Sequence, residues 1–167
     1  MGSCLRSGNC CTSFAVCITS FDVSRISKHL NLKPIEFVQI VSAPTERERK
    51  EPTVLIEGEY ALLVLRWKKK FDCLFYGNGC DIYQYRPFLC RTYPFCFKNN
   101  KFIEVKLRAC PSCWMPDGKE KEQYLSDLKR YEKEVKKYKK IVKKWNKQGG
   151  GNLKEFLEFS FKLSYHS

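Results

Sequence analysis

The chain has 167 residues, with 31 lysines and arginines against 18 acidic residues for a formal charge of +13, and it carries ten cysteines. A surplus of that size argues against basic partners and favours acidic ones, either nucleic acid or an anionic membrane surface. The longest apolar run, Tyr60 to Leu65, is far short of the roughly 20 residues that cross a bilayer, so no membrane span is expected.

The chain opens Met1-Gly2-Ser3-Cys4-Leu5-Arg6. An exported precursor would show a basic stretch, an apolar run of about 7 to 15 residues and a small-residue cleavage site. Only Gly2 resembles a myristoylation signal, and Arg6 stands where that signal needs Ser or Thr. A cytoplasmic protein is therefore expected, in a compartment that usually keeps thiols reduced. An even number of cysteines also permits disulfides, but reduced clustered thiols point to metal ligation.

In chain order, Thr19 or Ser20 can cap a helix from about Asp22 to Leu32 with Val23, Ile26 and Leu30 on one face. Pro34 suits the first turn of a second helix carrying Phe37, Ile40 and Val41, with Pro44 at its exit. Residues 45–52 read as a charged loop. Val54 to Ile56, the Gly58-Glu59 turn, and Tyr60 to Trp67 read as a hairpin rich in β-branched and aromatic residues. Phe71-Asp72-Cys73 precedes Gly77-Asn78-Gly79. Likewise, Phe95-Cys96-Phe97 precedes Asn99-Asn100 and Phe102 to Val105. Both read as strands beside turns.

The cysteines thus fall mainly beside turns, which can aim thiolates from separate segments at one point. Four loci qualify: Cys4 with Cys10 and Cys11; Cys73 with Cys80; Cys90 with Cys96; and Cys110-Pro111-Ser112-Cys113. The last is a C-x2-C knuckle, which supplies half of a tetrahedral site. Adjacent Cys10 and Cys11 are expected to point in different directions, serving two sites or dividing into a ligand and a packed thiol. Cys17 and Cys96 read as small buried hydrophobes. His29 and His166 are the only histidines, and His29 is expected on the exposed part of a short helix, so a mixed cysteine and histidine site is not expected.

The order of these residues resembles the YkgJ or CxxCxxCC cysteine-cluster family, a zinc- or iron-chelating domain. The matches are Cys4, Gly8, Cys10 and Cys11, then Asp22, Arg25 and Ile26. Next come Cys73, Cys80, Ile82, Tyr83, Arg86, Pro87, Cys90, Arg91, Tyr93 and Pro94, followed by Cys110 and Pro111. The resemblance spans roughly residues 4–111 and leaves out the tail. Ser7 stands at the family's second cysteine, and a hydroxyl is a poor ligand for a soft metal. Cys17, Cys96 and Cys113 are additions to the pattern, and any of them could supply the missing thiolate.

The resemblance implies metal or iron-sulfur binding, with Cys4, Cys10, Cys11, Cys73, Cys80, Cys90, Cys110 and Cys113 as candidate ligands. All-thiolate sites suit zinc and iron-sulfur clusters alike. The aromatic residues crowding the motif, Phe75, Tyr76, Tyr83, Tyr85, Phe88, Tyr93, Phe95 and Phe97, would shield an oxygen-sensitive cluster and would equally make an ordinary core. A [4Fe-4S] cluster is the favoured expectation, with structural zinc as the alternative. Arg86 and Arg91 are candidates to hydrogen-bond the sulfurs or offset thiolate charge; otherwise they clamp backbone or form surface ion pairs. A related cysteine motif in flagellin lysine N-methylases implies a link to methyl transfer, and as an enzyme the protein would be expected to do redox or methyl-transfer work. No glycine-rich strand-to-helix loop of the kind that seats a nucleotide-like cofactor accompanies it.

In the tail, Tyr124, Leu128, Tyr131, Val135, Tyr138, Val142 and Trp145 recur at spacings of four and three, the seam of one long helix. Gln148 to Gly151 ends it. Asn152 can cap a last helix bearing Leu153, Phe156, Leu157, Phe161 and Leu163, and the two could pack as a helical hairpin. From Lys119 to Lys147 there are twelve basic and five acidic residues, just over half of the chain's surplus. That face is either a solvated surface, an RNA-binding face on which lysines meet phosphates and tyrosine or tryptophan stacks on bases, or a coiled-coil partner site.

The expected fold is α+β. A small irregular cysteine-rich metal-binding domain, residues 1–118, with short helices and hairpins, precedes a basic helical hairpin over residues 119–167. Two functional readings follow. One is an iron-sulfur or zinc metalloprotein; the other is a zinc-stabilised module binding RNA or a ribonucleoprotein.

Overall fold

The structure, a computed structural model, describes residues 6–43, 51–98, 101–104, 109 and 116–165. Mixed helices and small antiparallel sheets make it an α+β protein. Most of the charged loop expected at 45–52 lies outside the described residues.

The described residues fall into two compact units that do not follow chain order. One gathers those of Met1–Ala15 and Trp67–Glu132; the other gathers those of Val16–Arg66 and Lys133–Ser167.

In the second unit, helix α1 (Ser20–Leu30) begins with a reciprocal cap. Thr19 Oγ1 accepts from the Asp22 amide at 3.3 Å, and an Asp22 carboxylate oxygen accepts from the Thr19 amide at 3.0 Å, so two amides without helical partners are satisfied. Asn31, in the left-handed region at φ 54°, stops the helix. Val23 and Ile26 face inward and Leu30 is half-buried.

The second expected helix is shorter than its periodicity suggests. Helix α2 (Pro34–Phe37) stops after one turn, and strand β1 (Val38–Ser42) follows directly. Ile40 and Val41 are therefore strand residues. Their β-branched side chains suit the pleat, and pairing with strand β3 (Glu59–Leu65), from Val38↔Leu65 to Ser42↔Ala61, overrides the helical spacing.

Strand β2 (Val54–Ile56) pairs with β3 through the expected tight hairpin, Ile56↔Glu59 being its innermost pair. The sheet order is β1-β3-β2, and central β3 is buried from Ala61 to Leu65. Beyond β2 the same edge of β3 takes a short extended segment: the Ile18 amide donates to Leu63 O and the Leu65 amide to Val16 O, each at 3.0 Å.

Helix α4 (Gly118–Lys147) is the long helix expected, and it lends its first half to one unit and its second to the other. Near its end, Trp145 Nε1 donates to Leu55 O, Asn146 Nδ2 to Thr53 O, and Asn146 Oδ1 accepts from the Leu55 amide, all at 2.9 Å. These bonds satisfy part of the outer edge of β2. Gly150, at φ 73°, lies so close that a Cβ there would stand 2.6 Å from Leu55 O.

Helix α5 (Leu153–Tyr165) starts at Asn152, whose side chain accepts from the Glu155 amide at 3.0 Å. It returns beside α4, with Phe156 against Tyr138 and Trp145, and packs along α1. Phe37, Tyr138 and Phe156, each no more than 1 % exposed, form the centre of this core, and burying each aromatic ring contributes about 1.5–3 kcal/mol.

Under this core Arg25 bridges two carboxylates, Asp22 at 2.5 Å and Glu134 at 3.2 Å. Burial opposes its charge, but the two acids outweigh burial and hold the guanidinium above its ordinary value. The Tyr138 hydroxyl is also enclosed and makes no hydrogen bond among the described residues.

In the first unit, strands β4 (Trp67–Lys69) and β5 (Asp72–Cys73) make a small hairpin. Helix α3 (Phe88–Thr92) and the hairpin of β6 (Phe95–Lys98) with β7 (Lys101–Glu104) follow. The first half of α4 covers them, with Tyr124 edge-on to Phe95 at 5.8 Å and Arg130 over the Phe88 ring at 5.1 Å. Among the described residues no helix is long and apolar enough to cross a membrane.

Candidate metal centre

Five of the eight candidate cysteines are described, and all five lie in the first unit. Cys10 and Cys11 close a 3-10 turn, Asn9–Cys11, that opens at Gly8 in the left-handed region, φ 77°. A side chain at Gly8 would overlap Tyr76, whose ring atoms stand as near as 2.0 Å to the position of a Cβ. Glycine is thus required both for the backbone and for the space. The Tyr76 hydroxyl donates to Ser7 O at 3.3 Å, so the residue at the family's missing cysteine takes part through its carbonyl.

Cys73 ends β5 and is buried; Cys80 follows the Gly77–Gly79 turn, which a bridge between Tyr76 and Cys80 closes; Cys90 sits in α3. Cys10, Cys11, Cys73, Cys80 and Cys90 thus approach from four places in the chain. They sense one another's charge, Cys11 that of Cys73 and Cys90, and Cys80 that of Cys10.

The Sγ atoms of Cys10 and Cys11 are 3.9 Å apart. The two side chains therefore face the same side, contrary to the divergence expected from their adjacency; the tight 3-10 turn is what brings them together. Their contact lowers the first ionisation: Cys10 falls to about 7, chiefly through the hydrogen bond from Cys11, aided by Arg86 and opposed by burial. The same contact raises Cys11. Burial raises Cys73 and Cys80. Cys73 is buried and the others are half-buried, and Cys10 and Cys11 stand close enough to resist a second negative charge, the condition that a cation relieves.

Arg86 donates from Nη1 to Tyr83 O and lies 3.7 Å from the centre of the Tyr83 ring, over which Arg6 also stands at 4.1 Å. Its charge helps to lower Cys10 and offsets part of the rise that burial causes at Cys80. Arg91 donates from Nε to Arg86 O at 3.1 Å and from Nη2 to Gln84 O. The two arginines therefore stitch the 80–91 segment to itself. Tyr93, its ring tilted against Phe14 with centroids 5.2 Å apart, accepts a hydrogen bond from the Ala109 amide at its hydroxyl at 2.5 Å.

Cys4, Cys110 and Cys113 lie outside the described residues, as does His166. Cys17 belongs to the second unit, bridging to Val64, and Cys96 is on β6; both are half-buried. His29 is exposed in the last turn of α1. Among the described residues no three Cys, His, Asp or Glu side chains converge to hold a single ion. The donor chemistry nonetheless fits a soft or borderline metal, since thiolates suit zinc and iron-sulfur clusters.

Sequence reasoning did not find the Gly8–Tyr76 contact or the meeting of the Cys10 and Cys11 thiols. Gly8 carried a signal, a glycine two residues before a cysteine pair; nothing marked Tyr76 as its partner.

A family model, CxxCxxCC, described as a putative zinc- or iron-chelating domain, matches residues 3–113. No curated protein and no solved structure matches the chain.

Proposed function

Because the chain belongs to the CxxCxxCC family of zinc- or iron-chelating domains and so binds metal through cysteines, we propose that it holds a [4Fe-4S] cluster. The observation that carries this reading is the presence of five thiols from four places in one unit, no three of which, among the described residues, converge on a single ion, a spread better suited to a four-iron cluster than to one tetrahedral ion. Four thiolates would hold it, drawn from Cys10, Cys11, Cys73, Cys80 and Cys90 or from the further candidates Cys4, Cys110 and Cys113. When bound, such a cluster supplies one-electron chemistry, of use in redox or methyl-transfer work. Arg86 offsets thiolate charge at Cys10 and Cys80, and buried Phe75 and Phe88 keep water from the segment.

A specific distance favours a second reading, structural zinc. Two thiolates on one tetrahedral ion with arms of about 2.3 Å are about 3.8 Å apart, and the Cys10 and Cys11 sulfurs stand at 3.9 Å. Such a closed site would contribute folding energy and perform no chemistry.

The test is metal and acid-labile sulfide content, with an absorption spectrum, on protein purified without oxygen. Iron and sulfide in equal amounts, with broad visible absorption, is the expected result. Zinc without sulfide would replace the cluster by the scaffold reading, and neither metal would overturn both.

A further inference from the structure

The charge of α4 is not spread along it. Residues 118–132 carry four basic and four acidic side chains, whereas residues 133–147 carry eight lysines and one acid, Glu134. Glu134 is buried and bound to Arg25. Lys133, Lys136, Lys139, Lys140, Lys143, Lys144 and Lys147 are exposed, Lys137 is half-buried, and among the described residues none of the seven exposed lysines has an ion pair.

At 100° per residue the eight lysines fill one side of the helix, over about 21 Å of its length. Solvated helix faces usually mix signs, because like charges at i,i+4 destabilise a helix by about 0.2–0.5 kcal/mol per pair. Here the pairs 133–137, 136–140, 139–143, 140–144 and 143–147 are all lysine with lysine. Glu132, one turn before, is the i−4 neighbour of Lys136; within residues 133–147 no carboxylate shares the face to relieve the rest of that cost, and a polyanion would relieve it.

We propose that this face binds the phosphate backbone of a nucleic-acid duplex without reading its bases. Three observations select that occupant. The opposite face, with Tyr138, Val142 and Trp145, is buried within its own unit, so it has no apolar side to sink into a membrane and no open seam for a coiled-coil partner. The aromatic residues that would stack on an unpaired base are the same buried ones: Tyr131 is 3 %, Tyr138 1 % and Trp145 7 % exposed. Stacking, on which single-strand binding depends, is therefore missing from this face, as the place of these residues on the seam suggests. The face also lacks the arginines and amides that read base edges. What remains is compact positive charge matched to the duplex, the polymer with about one charge per 1.7 Å of axis.

The test is fluorescence anisotropy of the full chain with 20-base-pair RNA and DNA duplexes of random sequence, between 50 and 200 mM salt. If about five lysines engage phosphates, affinity falls about 500-fold across that range. Changing Lys136, Lys140, Lys143 and Lys147 to Gln should flatten the slope to about one phosphate's worth, with the circular-dichroism melt unchanged or raised. Changing the same four to Arg should keep binding. A control losing equal charge at Lys28, Lys69, Lys154 and Lys162 should keep the slope. A flat salt response, tighter binding to single strands than to duplex, or equal binding to polyglutamate or to phosphatidylserine vesicles would each overturn the proposal, whether or not the Gln variant folds. None of these readouts depends on which metal the cysteines hold.

Discussion

Replacing Gly8 with alanine tests the turn that presents Cys10 and Cys11. The backbone at Gly8 is left-handed, φ 77°, a conformation that costs a residue bearing a Cβ about 1–2 kcal/mol. The added carbon would also fall about where the end of the Tyr76 ring now sits, within 2.0 Å of its nearest ring carbon. The ring must swing away, losing the hydroxyl bond to Ser7 O, worth about 0.5–1.5 kcal/mol. The expected loss for Gly8→Ala is thus about 1.5–3.5 kcal/mol, the sum of these two parts. The parts separate in a double-mutant cycle with Tyr76→Ala, measured by urea denaturation with all four proteins in the same metal state. Once the ring is gone only the backbone cost remains, so the double variant should be more stable than additivity predicts by about 1 kcal/mol. Strict additivity would refute the contact between Gly8 and Tyr76, and a loss for Gly8→Ala below about 0.5 kcal/mol would refute the left-handed turn as well.

Three further outcomes follow from the same structure. Arg25→Met leaves Asp22 and Glu134 as buried carboxylates without their cation, so it should cost about 3–5 kcal/mol, read from the midpoint of denaturation. Tyr138→Phe removes a hydroxyl that is enclosed and makes no hydrogen bond among the described residues; stability should rise by about 1 kcal/mol, and a loss of that size would mean the hydroxyl has a partner. Cys73→Ser should reduce bound metal, whereas Cys17→Ser, in the other unit, should leave the metal content of the purified protein unchanged.

Much of this fold was legible because its signals are local. The Thr19 and Asn152 caps, the hairpin across Gly58 and the seam from Tyr124 to Trp145 all appear where adjacent residues specify them. The helix expected through Ile40 and Val41 became a strand because its decisive partner, β3, lies more than twenty residues away. Periodicity carries no knowledge of that partner. At the candidate metal centre, residue types and spacing marked the candidate cysteines. The facing of Cys10 and Cys11 depends on a backbone turn whose glycine requirement comes from a tyrosine far along the chain. The lysine surplus was visible in composition, but its restriction to the second half of α4 takes on meaning only once Glu134 is seen buried under Arg25.

The hydrogen bond between the Leu65 amide and Val16 O also bears on how the cysteines assemble. Cys11 and Cys73 are separated by an excursion of about 60 residues, which an unfolded chain must close against its own entropy. Once the second unit forms, that bond and its neighbour at Ile18 pin the two ends of the excursion side by side, and only about a dozen residues of slack remain between the thiols. On a logarithmic dependence of closure entropy on length, the shortening is worth about 1.4 kcal/mol, or about tenfold in the effective concentration of one thiol at the other. The sheet that carries no candidate ligand would thereby act as a clasp, and weakening it should slow metal capture without touching a cysteine.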